Sequence, residues 1–226
     1  LAVKLEWIDK TPFRNYQLKF QKFERSYLNE RELRLIEGTF FKDESLERVK
    51  DIFLFSCYTG ISYFDLFNLD KAAVIEGSNS RLWVYLNRQK TGQKVKIPLL
   101  NKAQIILKKY WNFPSNNPNK ALPVPCNQNI NKKLKEIVKG AGIGKTVTFH
   151  SARHTFATTV TLSNGVPIET VSKLLGHTKL STTQIYARVL EEKIGQEMEI
   201  LNEKILSSEK RPGANCRKGK SYRTRI

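Results

Sequence analysis

One stretch of this chain alternates with period two, and helical patterning flanks it on both sides. In RLWVYLNRQKTGQKVKIPLL (81–100), Leu82, Val84 and Leu86 alternate with Trp83 and Tyr85. After a Thr-Gly turn, Val95 and Ile97 alternate again. Such a pair of runs predicts a β-hairpin with Lys90, Thr91 and Gly92 at its tip. AAVIEG (72–77) is placed to add a third strand. Elsewhere the apolar residues recur at helical spacing. The chain is therefore confined to an α+β class, mainly α-helical, with one small three-stranded antiparallel sheet.

SYLNERELRLIEG (26–38) opens on a capping residue and ends in Gly38, so it reads as a helix. DESLERVKDIFLFSCYTG (43–60) is a more apolar helix that stops at Gly60, and SYFDLFNL (62–69) is a short helical segment. KAQIILKKYW (102–111) and NQNINKKLKEIVKGAG (127–142) are helices separated by a Pro/Asn-rich loop over 112–128. Ser151 is placed to cap a helix over about 152–162, closed by Asn164-Gly165. Pro167 starts a second, which Gly176 ends, and Ser181 caps a third that carries Tyr186. Leu190, Ile194, Met198, Leu201 and Ile205 then form one apolar stripe on a long final helix. Residues 1–25 read as a basic, aromatic lead-in or linker, 26–207 as the folded domain, and 208–226 as a basic disordered tail.

Lys and Arg number 39 against 21 Asp and Glu, a formal charge of +18. An excess of this size favours a polyanionic partner, because each cation set on a phosphate releases a condensed counterion. A solubilising surface is the plainer reading. Cys57, Cys126 and Cys216 are few, odd in number and far apart, which points to neither a disulfide framework nor a cysteine zinc site. A reducing, cytoplasmic setting is expected. No apolar run approaches the roughly 18 residues that a membrane span needs, and no signal peptide is visible. The chain starts at Leu1, as a fragment lacking an N-terminal portion would.

The stretch TFHSARHTFATTV (148–160) packs His150, Arg153 and His154 into five positions. His150 and His154 stand at i, i+4, and His177 could complete a metal site. No Glu lies between the first two, however, and Arg153 and the basic chain disfavour a dication, so no metal is expected. His154 reads instead as a helix-packing histidine. His150 and Arg153 at i, i+3 share the face of a helix start, where free amides and a planar guanidinium suit phosphate oxygens. In LLGHTKLSTTQIYARV (174–189), His177 follows a glycine stop and Tyr186 comes nine residues later. A phenol with pKa about 10 is a poor nucleophile unless cations surround it. Its attack on a phosphodiester would give a covalent phosphotyrosine and free a sugar hydroxyl. A half-buried aromatic is the plainer reading of Tyr186. Lys90 at a hairpin tip could reach into a DNA groove and protonate a leaving oxygen; a solvated turn lysine is its plainer reading. Arg88, Lys90, Lys94 and Lys179 are the DNA-binding candidates.

Together these motifs resemble the catalytic domain of the tyrosine recombinases, the phage and transposon integrase family, over roughly residues 26–205. The stretch HSARHTFATTVTLSNGVPIETVSKLLGHTKLSTTQIYARV follows the family pattern HxLRHTFAT…G…I…LLGH…TT..YxH in order. RQKTGQKVKIPL matches its hairpin lysine, and RVKDIFLFSCYTGISYFDL is most similar to integrases of mobile elements from Bacteroides-type bacteria. The resemblance implies that Tyr186 is the nucleophile, forming a 3′-phosphotyrosyl bond. It implies that Arg153 and His177 donate to the non-bridging phosphate oxygens, that His150 assists proton transfer from the tyrosine, and that Lys90 protonates the 5′-hydroxyl. No cofactor is implied, because phosphotyrosine conserves the bond energy.

The family places another arginine in a TGxR sequence, where this chain has TGIS with Ser62. Losing a transition-state donor costs about 2.7–4 kcal/mol, so either the domain is crippled or another cation fills the gap. Lys50 is the preferred candidate and Arg48 the other. Nothing here resembles the family's N-terminal DNA-binding domains. The final amphipathic helix fits either docking on a neighbouring protomer or packing on its own core. The implied function is site-specific DNA strand exchange, integrating and excising a mobile element. It would act as a tetramer on double-stranded DNA, with accessory DNA-bending factors, in the bacterial cytoplasm at the nucleoid. DNA binding without catalysis, and type IB topoisomerase-like relaxation, are the alternatives.

Overall fold

The structure is a computed structural model and describes residues 3–10, 26–77, 81–114 and 117–186, with 195, 198–199, 201–203 and 205–206. Helix α1 (Glu30–Gly38) starts later than its sequence pattern predicts, because Asn29 rather than Ser26 caps it. Asn29 Oδ1 accepts from Glu32 N at 2.8 Å, and Glu32 Oε2 accepts from Asn29 N at 2.9 Å. That reciprocal box satisfies two amides a helix start leaves orphaned. Asp43 caps α2 (Glu44–Thr59), and Gly60 ends it in the left-handed region at φ 70°. Every residue of α2 from Val49 to Thr59 is buried, so this helix is the centre of the domain. It packs against α4 (Asn101–Tyr110), α5 (Asn127–Gly140) and α6 (Phe149–Thr155). Short helix α3 (Tyr63–Phe67) follows directly after α2.

The hairpin forms as the alternation requires. Strands β1 (Val74–Glu76), β2 (Leu82–Asn87) and β3 (Lys94–Pro98) pair antiparallel in chain order. Val74 stands opposite Val84, Val84 opposite Ile97, and Leu86 opposite Val95. Val84, Val95 and Ile97 are buried against the helices, while Tyr85, Lys94 and Lys96 face outward. β1 is shorter than AAVIEG implies, because Lys71–Ala73 forms a 3-10 turn.

The last third departs from its expected boundaries. α6 begins at Phe149, with Thr148 at the cap position. Ser151 does contribute, but from inside the first turn, where its hydroxyl accepts from Thr148 N at 3.2 Å. After Thr155 the helix widens into π-helical turns over Phe156–Thr161, then tightens to a 3-10 turn at Leu162–Asn164. Threonine hydroxyls account for the widening. Thr161 Oγ1 donates to both Phe156 O and Ala157 O, at 2.9 and 2.8 Å. Such back-bonding bends helices, and π-turns recur at functional sites. Thr155 and Thr159 also clasp the segment just before α1: Leu28 N donates to Thr155 Oγ1 at 3.0 Å, and Thr159 Oγ1 donates to Leu28 O at 2.5 Å.

Helix α7 (Ile168–Leu175) starts after Pro167 and stops at Gly176, as its signals predict. α8 (Ser181–Gln184) is a single turn. Ser181 lies within it rather than capping it, and Tyr186 falls just past its end. The turn opens on short-range bonds of its own, Thr182 N to Lys179 O and Thr183 N to Leu180 O, which leave no place for a side-chain cap. The described residues from 195 to 206 are helical, and Met198, Leu201 and Ile205 are exposed. Leu190, Ile194 and the expected tail over 208–226 lie outside the described residues, as does most of the lead-in. No helix among the described residues is long and apolar enough to cross a membrane.

Candidate active site

Three separate segments meet at one carbonyl. Leu175 O, at the C-terminus of α7, accepts from Arg153 NH2 at 2.5 Å and from Arg88 Nε at 3.0 Å, with Arg88 NH2 bonded to it as well. Arg153 comes from the middle of α6, and its other terminal nitrogen donates to Gly60 O at 2.8 Å. Arg88 comes from the residue after β2. Both side chains are buried, at 8% and 7% exposure. The glycines allow this approach. A methyl group on Gly176 would sit 2.6 Å from Val95 Cγ2 and 3.0 Å from Arg88 Cγ, and one on Gly60 would sit 2.5 Å from the Phe156 ring.

Sequence reasoning placed Arg88 among the DNA-binding residues and left the arginine expected at Ser62 to be supplied by Lys50. Lys50 lies elsewhere, and this corrects that expectation. It is buried at 4% exposure, donates to Thr39 O at 2.7 Å and pairs with Glu47 at 2.6 Å. Along α2 it stands roughly 15 Å from the Gly60 end, at 1.5 Å of rise per residue. Arg48 sits over the Phe113 ring at 4.5 Å. The cation beside Arg153 is Arg88, and Ser62 helps to hold it. The Ser62 hydroxyl donates to Asp65 Oδ2 at 2.6 Å, and the same carboxylate ion-pairs with Arg88 NH1. Asp65 Oδ1 accepts from Gln89 N at 3.0 Å, which fixes the hairpin base to α3. The missing TGxR arginine was itself the signal that a cation had to arrive from another segment. The spacing could not say which one.

His177 follows Gly176, whose φ of 62° turns the chain back toward α6. Arg153 NH2 lies 3.1 Å from His177 Nε2, and Thr183 Oγ1 lies 2.8 Å from Nδ1. A guanidinium only donates. Nε2 is therefore the acceptor, and the proton sits on Nδ1, which donates to Thr183. Burial, and then the nearby Arg88 charge, pull the His177 pKa below its ordinary value. Two guanidiniums and an imidazole thus face one spot with Asp65 as the counter-charge. Arg153 has no carboxylate partner among the described residues. Such an arrangement attracts an anion of phosphate geometry.

The other predicted residues fall around this cluster. His150 is exposed, and its ring lies 4.5 Å edge-on to that of His154. His154 is buried at 3% exposure with its ring 5.4 Å from Tyr186. Tyr186 is 7% exposed, in a small apolar cluster with Phe156, Leu162, Val171 and Leu175. Lys90 is exposed at the hairpin tip, two residues beyond Arg88; Lys94 on β3 and Lys179, two residues after His177, are exposed as well. Among the described residues no group of three His, Cys, Asp or Glu could hold a metal ion.

Residues 27–193 match the model of the phage integrase family. That span covers well over half of the sequence. The chain belongs to this family. It is 28% identical over 207 residues to tyrosine recombinase XerC of Pediococcus pentosaceus, covering 85% of this chain and 67% of that protein. The XerA recombinase crystal structure matches with a TM-score of 0.61 at 26% identity, covering 86% of this chain and 71% of that one. A lambda integrase dimer bound to a COC' core site matches with a TM-score of 0.65 at 17% identity, covering 82% and 67%, and shows the fold alone. The domain is a tyrosine recombinase catalytic domain, with the mainly helical architecture and small antiparallel sheet of those structures. The chain spans about two thirds of the length of the XerC relative.

Proposed function

We propose that this integrase-family domain cleaves and rejoins DNA by site-specific recombination, with Tyr186 as the nucleophile and Arg88, Arg153 and His177 as the phosphate-binding triad. The convergence of Arg88 and Arg153 on Leu175 O, with His177 against Arg153, carries this reading. A scissile phosphate entering here exchanges the carbonyl for its own non-bridging oxygens. The three side chains then donate to charge that grows in the transition state, where such donors act most strongly. The Tyr186 phenol oxygen attacks phosphorus, the bond to the 5′-oxygen breaks, and a 3′-phosphotyrosyl bond replaces it. His150 takes the phenol proton and Lys90, swung in from the hairpin tip, protonates the leaving 5′-hydroxyl. Rejoining is the same step reversed by the incoming 5′-hydroxyl, so bond energy is kept and no cofactor takes part.

In this structure Tyr186 rests in the apolar cluster. In the proposed cycle, DNA docking draws the segment after α8 outward and delivers the phenol to the phosphate. Double-stranded DNA is the substrate, bound through Lys90, Lys94 and Lys179. Four protomers exchange strands between two sites, with DNA-bending factors as helpers, to integrate or excise a mobile element at the bacterial nucleoid. The lead-in over 1–25, the domain over 26–207 and the tail over 208–226 are the proposed divisions.

Burial of Tyr186 favours a second reading, DNA binding without cleavage. One experiment separates them. The protein is incubated with a library of nicked duplexes of random sequence and analysed on a denaturing gel. A covalent adduct that disappears in Tyr186→Phe supports cleavage. A salt-sensitive gel shift with no adduct overturns it in favour of binding alone.

A further inference from the structure

We propose that Thr183 is a positioning residue that partners Nδ1 of His177 in both of its protonation patterns and ties the ring to the turn carrying Tyr186. The proposal rests on the reading of His177 as a phosphate ligand and Tyr186 as the nucleophile. Thr183 is fully buried, and its hydroxyl lies 2.8 Å from His177 Nδ1. Its carbonyl accepts from Tyr186 N at 3.0 Å. A single residue thus touches the imidazole with its side chain and the nucleophile's backbone with its main chain. Its own amide donates to Leu180 O at 2.8 Å, which fixes the turn between them.

The chemistry explains why a hydroxyl suits this place. Without DNA, Arg153 donates to Nε2, so Nδ1 holds the proton and Thr183 Oγ1 accepts it. A phosphate oxygen needs the opposite at Nε2, which must then donate. His177 reaches that state when Arg153 turns to the phosphate and the ring proton moves from Nδ1 to Nε2 through solvent. Nδ1 then becomes an acceptor. A hydroxyl can donate as readily as accept, so Thr183 serves both states by rotating its O–H. A carboxylate or a backbone carbonyl could serve only the first. A ring that engages phosphate also pulls on Thr183, and through its carbonyl on the turn of Tyr186. Phosphate recognition and nucleophile delivery are thereby linked.

The test compares the wild-type chain with Thr183→Val and Thr183→Ser. Valine keeps the shape and deletes the hydroxyl, whereas serine keeps the hydroxyl. Nitrogen NMR of labelled histidine reads the His177 tautomer in the free protein, with no DNA present. The wild type and Thr183→Ser are expected to show a proton on Nδ1 held by the hydroxyl, and Thr183→Val the same tautomer, fixed by Arg153, with an Nδ1–H signal that is shifted and exchanges faster for want of an acceptor. With a nicked duplex selected from a random library by wild-type adduct formation, Thr183→Val should cleave about tenfold more slowly, the worth of one buried hydrogen bond. Its pH–rate profile should be displaced, and Thr183→Ser should restore both. An unchanged Nδ1–H signal and unchanged pH profile in Thr183→Val overturn the proposal. So does loss of cleavage that serine does not restore. If the wild type forms no adduct, the reading of Tyr186 fails, while the NMR comparison still decides the role of Thr183.

Discussion

Arg88 and Arg153 donate to the same backbone oxygen, that of Leu175, although one leaves a β-hairpin and the other a helix. Two cations of like charge are held side by side with a single carboxylate, Asp65, on one of them. The fold tolerates that repulsion because each guanidinium is also held by carbonyl dipoles. An incoming phosphate relieves it. Arg88→Ala should therefore lower the rate of adduct formation by about 10²–10³, the usual loss for one oxyanion donor. Affinity for duplex DNA should fall far less. Denaturing gels for the adduct and gel shifts for binding check the split, and an equal fall in both would return Arg88 to a purely DNA-binding role.

Lys50 makes the contrasting case. Its ammonium is satisfied by Thr39 O and Glu47, away from the arginine pair. Lys50→Met should leave cleavage per folded molecule unchanged. It frees a part-buried Glu47 carboxylate and should lower the melting temperature. A large loss of cleavage with intact folding would put Lys50 back among the catalytic residues.

The Asp65–Arg88 pair is buried on both sides, at 4% and 8% side-chain exposure. Removing one partner of such a pair leaves an uncompensated charge and costs about 3–5 kcal/mol. Asp65→Asn should thus destabilise the domain by roughly that amount in urea unfolding, whereas Asp65→Asn with Arg88→Met should recover most of it. Additive losses in the double variant would show that the two side chains do not act as a unit. Ser62→Ala removes the donor to the Asp65 carboxylate and the N-cap acceptor of Asp65 N, and should cost about 1 kcal/mol.

Much of this was legible in the sequence, and the exceptions have identifiable causes. The hairpin was readable because strand alternation and the Thr-Gly turn agree over 81–100. Gly60 and Gly176 were readable as stops because few residue types tolerate their positive φ, and Pro167 as a start because its φ is fixed and it has no N–H to leave unpaired. Arg153, His177 and Tyr186 were marked by the ordered resemblance of the last third to the family pattern, since their spacing alone is weak. The partner of Arg153 was not, because Arg88 reaches it through tertiary packing of the hairpin base on α3 and α7, which no local spacing encodes. Lys50 looked suitable because it lies on the helix leading to TGIS, yet ten residues of helix carry it away from Gly60. The π-turns after α6 were missed because threonine back-bonding overrides the ordinary helical period. Asp65 and Thr183 carried no signal alone, since each acts on the side chain of another residue.

Gly176 is held at φ 62°, and an added methyl would meet Val95 and Arg88 at 2.6 and 3.0 Å. Gly176→Ala should therefore destabilise the domain by about 1–3 kcal/mol through strain and overpacking. It should also push Arg88 off Leu175 O, so that cleavage by the fraction still folded drops as well. Thermal unfolding together with single-turnover cleavage checks both parts. Destabilisation with undiminished cleavage would mean that the hairpin yields without moving Arg88.

Acid should act on the site through His177. Its folded-state pKa is depressed by burial and by the nearby Arg88 charge, so the fold favours the neutral ring. The unfolded chain binds the proton more readily. Stability from this group is therefore present above its unfolded pKa of about 6.5 and is lost as pH falls toward the lower folded value. His177→Gln removes the titration, so its stability should fall less than that of the wild type between pH 7 and pH 5. The half-buried ring makes the difference modest, and it should be read as a change in slope across that window by urea unfolding at several pH values. Parallel slopes in the two proteins would mean that the imidazole is not held neutral by its burial and the Arg88 charge.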